Sequence, residues 1–360
     1  MMREVFKPSR VLHTIGILAV AAGLVAVGSA ELGFAQEKQG QKSSAQQGAP
    51  QQNRDFANAE VHIWPVRGNV YMLVGAGGNI TVQEGNDGIL LVDTGLSQMS
   101  DKVLAAVRSI SKGPIRYIVN THVHADHTGG NLAIAKEGST IAGGNVVGNI
   151  GASASEGATV IAFQTILDRM SMPGSKDLAP EGAWPTDTYT TLKKDMFFNG
   201  EAIRIYHVPA AHTDGDSMVF FRRSDVVSTG DIFTTTNYPI VDLERGGGIQ
   251  GVIDGLNKII YEITIVADKQ GGGTMVIPGH GRLCNQADVV YYQEMVIIIR
   301  DRIQAMIDKG MTLEQVEAAK PTSDYDPRYG STTGFWTTEK FVDAVYKSLS
   351  QKPKMQEAGQ

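Results

Sequence analysis

THVHADHTGG, residues 121–130, places three of the chain's eight histidines and one aspartate within six positions. Imidazoles and carboxylates packed this closely repel or desolvate one another unless positive charge sits among them. The stretch follows IRYIVN, which has the β-branched and aromatic content of a strand. On a helix, positions two apart point in opposed directions, so His122 and His124 could not share an ion there. An extended run would turn His122, His124 and Asp126 to one side and His127 to the other, toward a neighbouring ion. The GGN that follows permits a tight turn into a helix over GGNLAIAKEG.

Outward from this cluster the text is mixed. Upstream lie short β-like runs, VHIWPV, NVYMLVG, NITVQEG and GILLVDTG, and then the helical SDKVLAAVRSI. Downstream, residues 152–195 contain a helical-looking TVIAFQTILDRM and a Pro/Gly/Asp-rich loop, and suggest a lid or insertion carrying Phe163, Met170, Met172 and Trp184. Strand text returns with AIRIYHVPA, SMVFFRR and DVVSTGD; VIDGLNKIIYEI reads as a helix and TMVIPGH as a last strand. After the lone Cys284, a core residue by its surroundings, the chain is helical: VVYYQEMVIIIRDRIQAMIDKG, TLEQVEAAK and TEKFVDAVYKSL. Strands with helices at both ends imply sheets sandwiched between helices, an α+β fold.

Three further metal-binding candidates stand at strand ends: His212 after AIRIYHVPAA, Asp231 after DVVSTG, and His280 after TMVIPG. Together with the cluster they make seven N/O donors, enough for two divalent ions with water. His207 lies inside a strand and reads as packing or surface, and His13 and His62 have no partners in view. Asn237 and Tyr238, just past Asp231, are candidates for a pocket wall. GAGG at 75–78 lacks the helix of a phosphate loop, and DTG at 93–95 reads as a strand-end turn.

THVHADHTGG, AHTDGDS, STGDIF and PGHG, in this order and spacing, resemble the metallo-β-lactamase superfamily over roughly residues 60–285. The resemblance implies an αββα sandwich, here with a C-terminal helical extension. It also implies two Zn²⁺ ions per chain: His122, His124 and His212 on the first, Asp126, His127 and His280 on the second, Asp231 bridging. Asp126 would also orient the nucleophile. An aspartate at position 231 is similar to the hydroxyacylglutathione hydrolases, lactonases and phosphodiesterases of the superfamily; its β-lactamases typically carry Cys or Ser there. The implied activity is hydrolysis of a small ester, lactone, thioester or amide. β-Lactam hydrolysis, a mononuclear iron persulfide dioxygenase and a non-catalytic metal-binding protein stay open as alternatives. Tyr291, Tyr292, Arg300 and Arg302 match no glutathione-binding tail individually.

The chain's ends and charge bound the setting. Arg3, Lys7 and Arg10 precede the apolar TIGILAVAAGLVAVGSA and the small residues GFA, the layout of a secretory signal over 1–35, with cleavage expected after Ala35 or, second, Ala30. A Gln/Ser/Gly-rich linker over 36–55 would follow, then a metallo-hydrolase domain over 56–310 and a helical tail over 311–360. Export to the periplasm or exterior is expected, with no membrane attachment after cleavage; a retained, uncleaved membrane anchor is the alternative reading of the apolar run. Loss of the leader removes three basic and two acidic residues and takes the net charge from −6 to −7. That balance speaks against nucleic acid as a partner and for a small-molecule substrate. One cysteine allows no internal disulfide.

Overall fold

The computed structural model describes residues 56–140, 157–266 and 272–350. The leader and linker expected over 1–55 lie outside the described residues. Seven strands form the first sheet in spatial order: β1 (His62–Arg67), β2 (Val70–Val74), β3 (Ile80–Gly85), β4 (Gly88–Val92), β5 (Ile115–Val119), β6 (Thr159–Phe163) and β7 (Asp187–Tyr189). The first four run antiparallel as a meander, and β4 to β7 are parallel. The second sheet contains β8 (Lys193–Phe198), β9 (Glu201–His207), β10 (Ser217–Phe221), β11 (Val226–Ser228) and β12 (Met275–Ile277), ordered β12-β11-β10-β9-β8. Only β11 and β12 are parallel in it.

Period-two patterning explains why the sheets stack. In β4, Leu90 and Val92 face the second sheet and pack with Ile203, Ile205, Val219 and Phe221. Their alternates Ile89 and Leu91 face outward, against α1 (Ser100–Ile110). That helix buries Val103, Ala106 and Val107, the i, i+3, i+4 stripe expected of SDKVLAAVRSI. Each fully buried branched side chain of this kind contributes roughly 1.5–3 kcal/mol relative to exposure. Two short helices, α2 (Ala125–Thr128) and α3 (Asn131–Lys136), complete the first half, and α4 (Gln164–Ser171) follows β6.

The outer face of the second sheet is covered by α5 (Ile249–Lys258), continued by a π turn over Ile259–Ile263, and by α6 (Gln286–Asp308). A capping box between Asn285 and Asp288 starts α6, which buries Val289, Tyr292, Val296, Ile299 and Ile303 along one face. Helices α7 (Leu313–Ala318), α8 (Asp326–Tyr329) and α9 (Thr338–Ser350) add Val316, Tyr329, Phe341 and Val345 to the same core. The order of layers is helix, sheet, sheet, helix, so the αββα sandwich with a helical extension is the observed fold.

Two local expectations need correction. TVIAFQTILDRM is not one helix: its first half is β6, hydrogen-bonded between β5 and β7, and only Gln164 onward is helical. Continuous apolar text spans the junction, and pairing in a buried sheet decides for the β-branched half. Residues 157–195 are therefore not an insertion as a whole. They supply two strands of the first sheet and the start of β8, and Ala162, Ile166, Met170 and Ala183 form a small core with Val123 of the histidine loop.

Candidate metal centre

The seven donors come together where the parallel strands end. The segment 121–124 after β5 is irregular rather than extended, and Asp126 and His127 ride on α2. This corrects the pattern expected from a continued strand. Asp126 does not converge with His122 and His124 but turns with His127 toward His280. His122, His124 and His212 form one group; Asp126, His127 and His280 form a second; Asp231 lies between them with His122 and His127.

Close backbone approach makes this possible. Asp231 sits in a tight turn after β11, directly beneath Gly279 of the β12 loop, where an added Cβ would lie 2.0 Å from its Oδ1. Gly78 passes over the His127 ring, where a Cβ would lie 2.3 Å from Cε1. The GAGG run thus serves as a spacer against the centre. Beside it, Asn79 ties the loops together, donating its backbone N–H to Gly279 and its amide to Pro278 and Gly281.

Each of four histidines is held at one ring nitrogen, leaving the other aimed inward. His122 Nδ1 donates to the Thr121 hydroxyl at 3.0 Å, His124 Nε2 to Asp242 at 2.9 Å, His127 Nδ1 to Asp93 at 2.8 Å, and His212 Nδ1 to the Ile240 carbonyl at 2.6 Å. Orientation by an outer partner is the habit of metal-ligating imidazoles. Asp93 is central to it: Oδ1 accepts the Thr121 backbone N–H, and Oδ2 accepts both the Thr121 hydroxyl and His127. One carboxylate therefore fixes elements of both groups. It holds a left-handed backbone, φ 64°, a conformation that Asp tolerates better than most residues.

The inward atoms fit cations. His124 Nδ1 and His212 Nε2 lie 2.8 Å apart. With both opposite nitrogens donating, these two are lone pairs, which repel unless positive charge lies between them. His122 Nε2 is buried with no hydrogen-bond partner, and Asp231 Oδ1, also buried, has only the His127 Nε2 at 3.2 Å, without hydrogen-bond geometry. An orphaned buried acceptor costs about 1–3 kcal/mol, and a cation removes that cost.

Protonation follows the same division. Burial, with its neighbouring imidazoles, holds His122 well below the ordinary histidine value, and burial brings His212 down to about 4. For His280 burial also acts downward, but Asp231 and Asp126 outweigh it and raise the ring to about 9. Asp126 falls to about 2 despite burial, because His280 donates to it. In the metal-free protein, protons on His280 and His127 take the place of a cation beside Asp231.

A match to the family model described as "Metallo-beta-lactamase superfamily" covers residues 73–280. The chain belongs to the metallo-β-lactamase superfamily. That membership makes it a metal-dependent hydrolase, and its His/Asp groups are of the kind that hold divalent ions. The chain is 25% identical over 295 residues to a linear primary-alkylsulfatase of Pseudomonas sp. (strain ATCC 19151), which covers 73% of this chain and 54% of the relative. It superposes on a stereoselective inverting sec-alkylsulfatase from Pseudomonas sp. at a TM-score of 0.54, with 15% identity over 80% of this chain and 50% of that one. A metallo-β-lactamase from Pontibacter korlensis matches at 0.51, with 13% identity over 66% and 99%. The chain thus spans about half the length of the alkylsulfatases it resembles, and the structural likenesses speak to fold alone.

This superfamily centre opens into a cavity of about 1080 Å³. Its walls come from Thr236–Arg245 and from the tail, Thr333–Lys347, not from the segment 165–182. The expectation of a lid there is overturned, because Phe163 is spent stacking on His207 and Met170 is buried. Asn237 lines the cavity, whereas Tyr238 does not: it is buried and its hydroxyl donates to Asp326. Sequence reading missed Asp93 and Asp242. Asp93 carried a signal in its DTG turn; Asp242 belongs to no motif. Cys284, as expected, is a buried core residue. Among the described residues no helix is long and apolar enough to cross a membrane.

Proposed function

We propose that the chain is an exported dinuclear zinc hydrolase of alkyl sulfate esters. The observation that carries the dinuclear part is the pair of donor groups with Asp231 between them, and the His122 Nε2 buried without a partner. His122, His124 and His212 would hold one ion, Asp126, His127 and His280 the other, and Asp231 would bridge. When bound, such a pair supplies a nucleophile at neutral pH and positive charge against the leaving oxygen. The full second group argues against the single-ion oxygenase alternative.

The residues around the ions have separable tasks. Asp126 is ionised at neutral pH and one-third exposed, so it has an oxygen available to orient the attacking water. The substrate class draws on the resemblance to the primary-alkylsulfatase and on the cavity. Ile240, Phe335 and Trp336 give it an apolar side suited to an alkyl chain. Lys340 donates to the Phe335 carbonyl and pairs with no carboxylate among the described residues, which leaves its charge for an anionic head group. The leader-like residues 1–35 support export.

A substrate panel tests this reading: primary alkyl sulfates, a carboxyl ester, a lactone, a thioester and a cephalosporin, each with and without chelator. Release of inorganic sulfate that stops with chelator and returns with zinc is expected. Silence on the alkyl sulfates with turnover of another member would replace the substrate class.

A further inference from the structure

His124 is the least enclosed histidine of its group, with 21% of its side chain exposed, and among the described residues its outer hydrogen-bond partner is Asp242. Asp242 is itself gripped. Its Oδ1 accepts the backbone N–H of Arg245, and its Oδ2 accepts Arg245 Nη1 at 2.6 Å beside His124 Nε2. The remaining side of the Arg245 fork is taken by Asp177, with Nε at 2.9 and 3.0 Å and Nη2 at 2.7 Å. Asp177 lies in the loop after α4, and only 10% of its side chain is exposed. This one ion-paired line runs from a surface loop to an inward-facing imidazole.

We propose that Asp177 and Arg245 are positioning residues for His124, a relay through which the loop 172–178 sets ion affinity in the His122–His124–His212 group. The inference rests on the metal-centre reading above. Its physical basis is the planarity of the guanidinium. A carboxylate across Nε and Nη2 fixes the plane, and the plane fixes where Nη1 meets Asp242. Released from Asp177, Arg245 gains rotamers and Asp242 loses its lateral support. The His124 ring can then turn about its terminal torsion and swing Nδ1 off the point it shares with His212 Nε2. The loop thus acts on the centre without covering it, and it lines a separate, flanking cavity of about 590 Å³.

Stepwise zinc affinities, measured by competition with a chromogenic chelator on the full chain, test the relay, with the absorption of the cobalt-substituted protein as a geometric readout. Asp177→Asn is expected to weaken one of two ions about 10-fold, the low end for outer partners of a metal ligand. Asp242→Asn is expected to weaken the same ion more, up to about 100-fold. Asp177→Asn in an Asp242→Asn background should cost nothing further, because its effect passes through Asp242. Arg245→Lys, which keeps the charge and loses the fork, should reproduce Asp177→Asn and serves if that variant does not fold. Lys176→Ala, which alters the same loop but breaks only its exposed pair with Glu244, should leave both affinities and the cobalt spectrum unchanged. Two tight ions in Asp177→Asn and Arg245→Lys, equal weakening of both ions, or additive losses in the double variant would each overturn the relay alone. A wild-type chain that binds no divalent ion would overturn the metal-centre reading and the relay with it.

Discussion

Asp93→Asn changes no shape and isolates what one buried carboxylate does for the centre. Three protons converge on Asp93: the Thr121 N–H on Oδ1, and the Thr121 hydroxyl and His127 Nδ1 on Oδ2. The backbone N–H cannot reverse, so the amide oxygen is drawn to the Oδ1 position and the NH₂ group faces His127. His127 must then accept at Nδ1 and carry its proton on Nε2, the atom 3.2 Å from Asp231 Oδ1 and 3.3 Å from His280 Nε2. A protonated Nε2 cannot ligate. The opposite amide orientation leaves the Thr121 N–H against an NH₂ group, at about 1–3 kcal/mol. Either way affinity in the Asp126–His127–His280 group should fall about 10–100-fold, or about 1.4–2.7 kcal/mol. Chelator competition and melting with and without zinc would read this as one ion lost first and a smaller zinc-induced rise in Tm. Two ions bound with wild-type affinity would refute the tautomer argument.

Gly279→Ala places a methyl 2.0 Å from Asp231 Oδ1 and under 3 Å from the 230–231 backbone, so bound zinc should drop below two per chain by elemental analysis. Lys340→Ala should raise KM for alkyl sulfates several-fold and leave zinc content unchanged, which steady-state kinetics and elemental analysis check together. The chelator-stripped protein should lose stability as pH rises from about 6.5 to about 9. His280 titrates near 9 when folded and near 6.5 when unfolded, so its stabilising proton is fully present below the lower value and gone above the higher. Bound zinc would take that proton's place, so melting curves of the zinc-loaded protein should show no such fall across this window.

The inner donors could be read from the chain because metal chemistry confines them to a few residue types in short, glycine-flanked runs. Their partition could not. His122 and Asp126 read as one side of a strand, yet a single turn of helix at Ala125 rotates Asp126 toward His280. The outer supports were harder still. His124 and Asp242 meet across 118 positions, and Asp177 and Arg245 across 68, with no local pattern to mark either pair. The layers followed from pattern: the unbroken apolar run GILLV marks a strand buried on both faces, and the stripe of SDKVLAAVRSI a helix buried on one. The misread TVIAFQTILDRM shows where period fails, at a strand passing into a helix with no polar break. The cavity wall was misplaced for a related reason. Phe163 and Met170 signal burial equally well in a core or over a site, and here the core takes them, while the tail's Phe335 and Trp336 line the cavity.

The central claim is a two-ion centre built from His122, His124, His212, Asp126, His127, His280 and Asp231. Elemental analysis of the chain purified without added metal, beside a His122→Ala/His124→Ala variant, tests it most directly. About two zinc per wild-type chain and a clear deficit in the variant are expected. One iron per chain, or equal zinc in both proteins, would contradict the account.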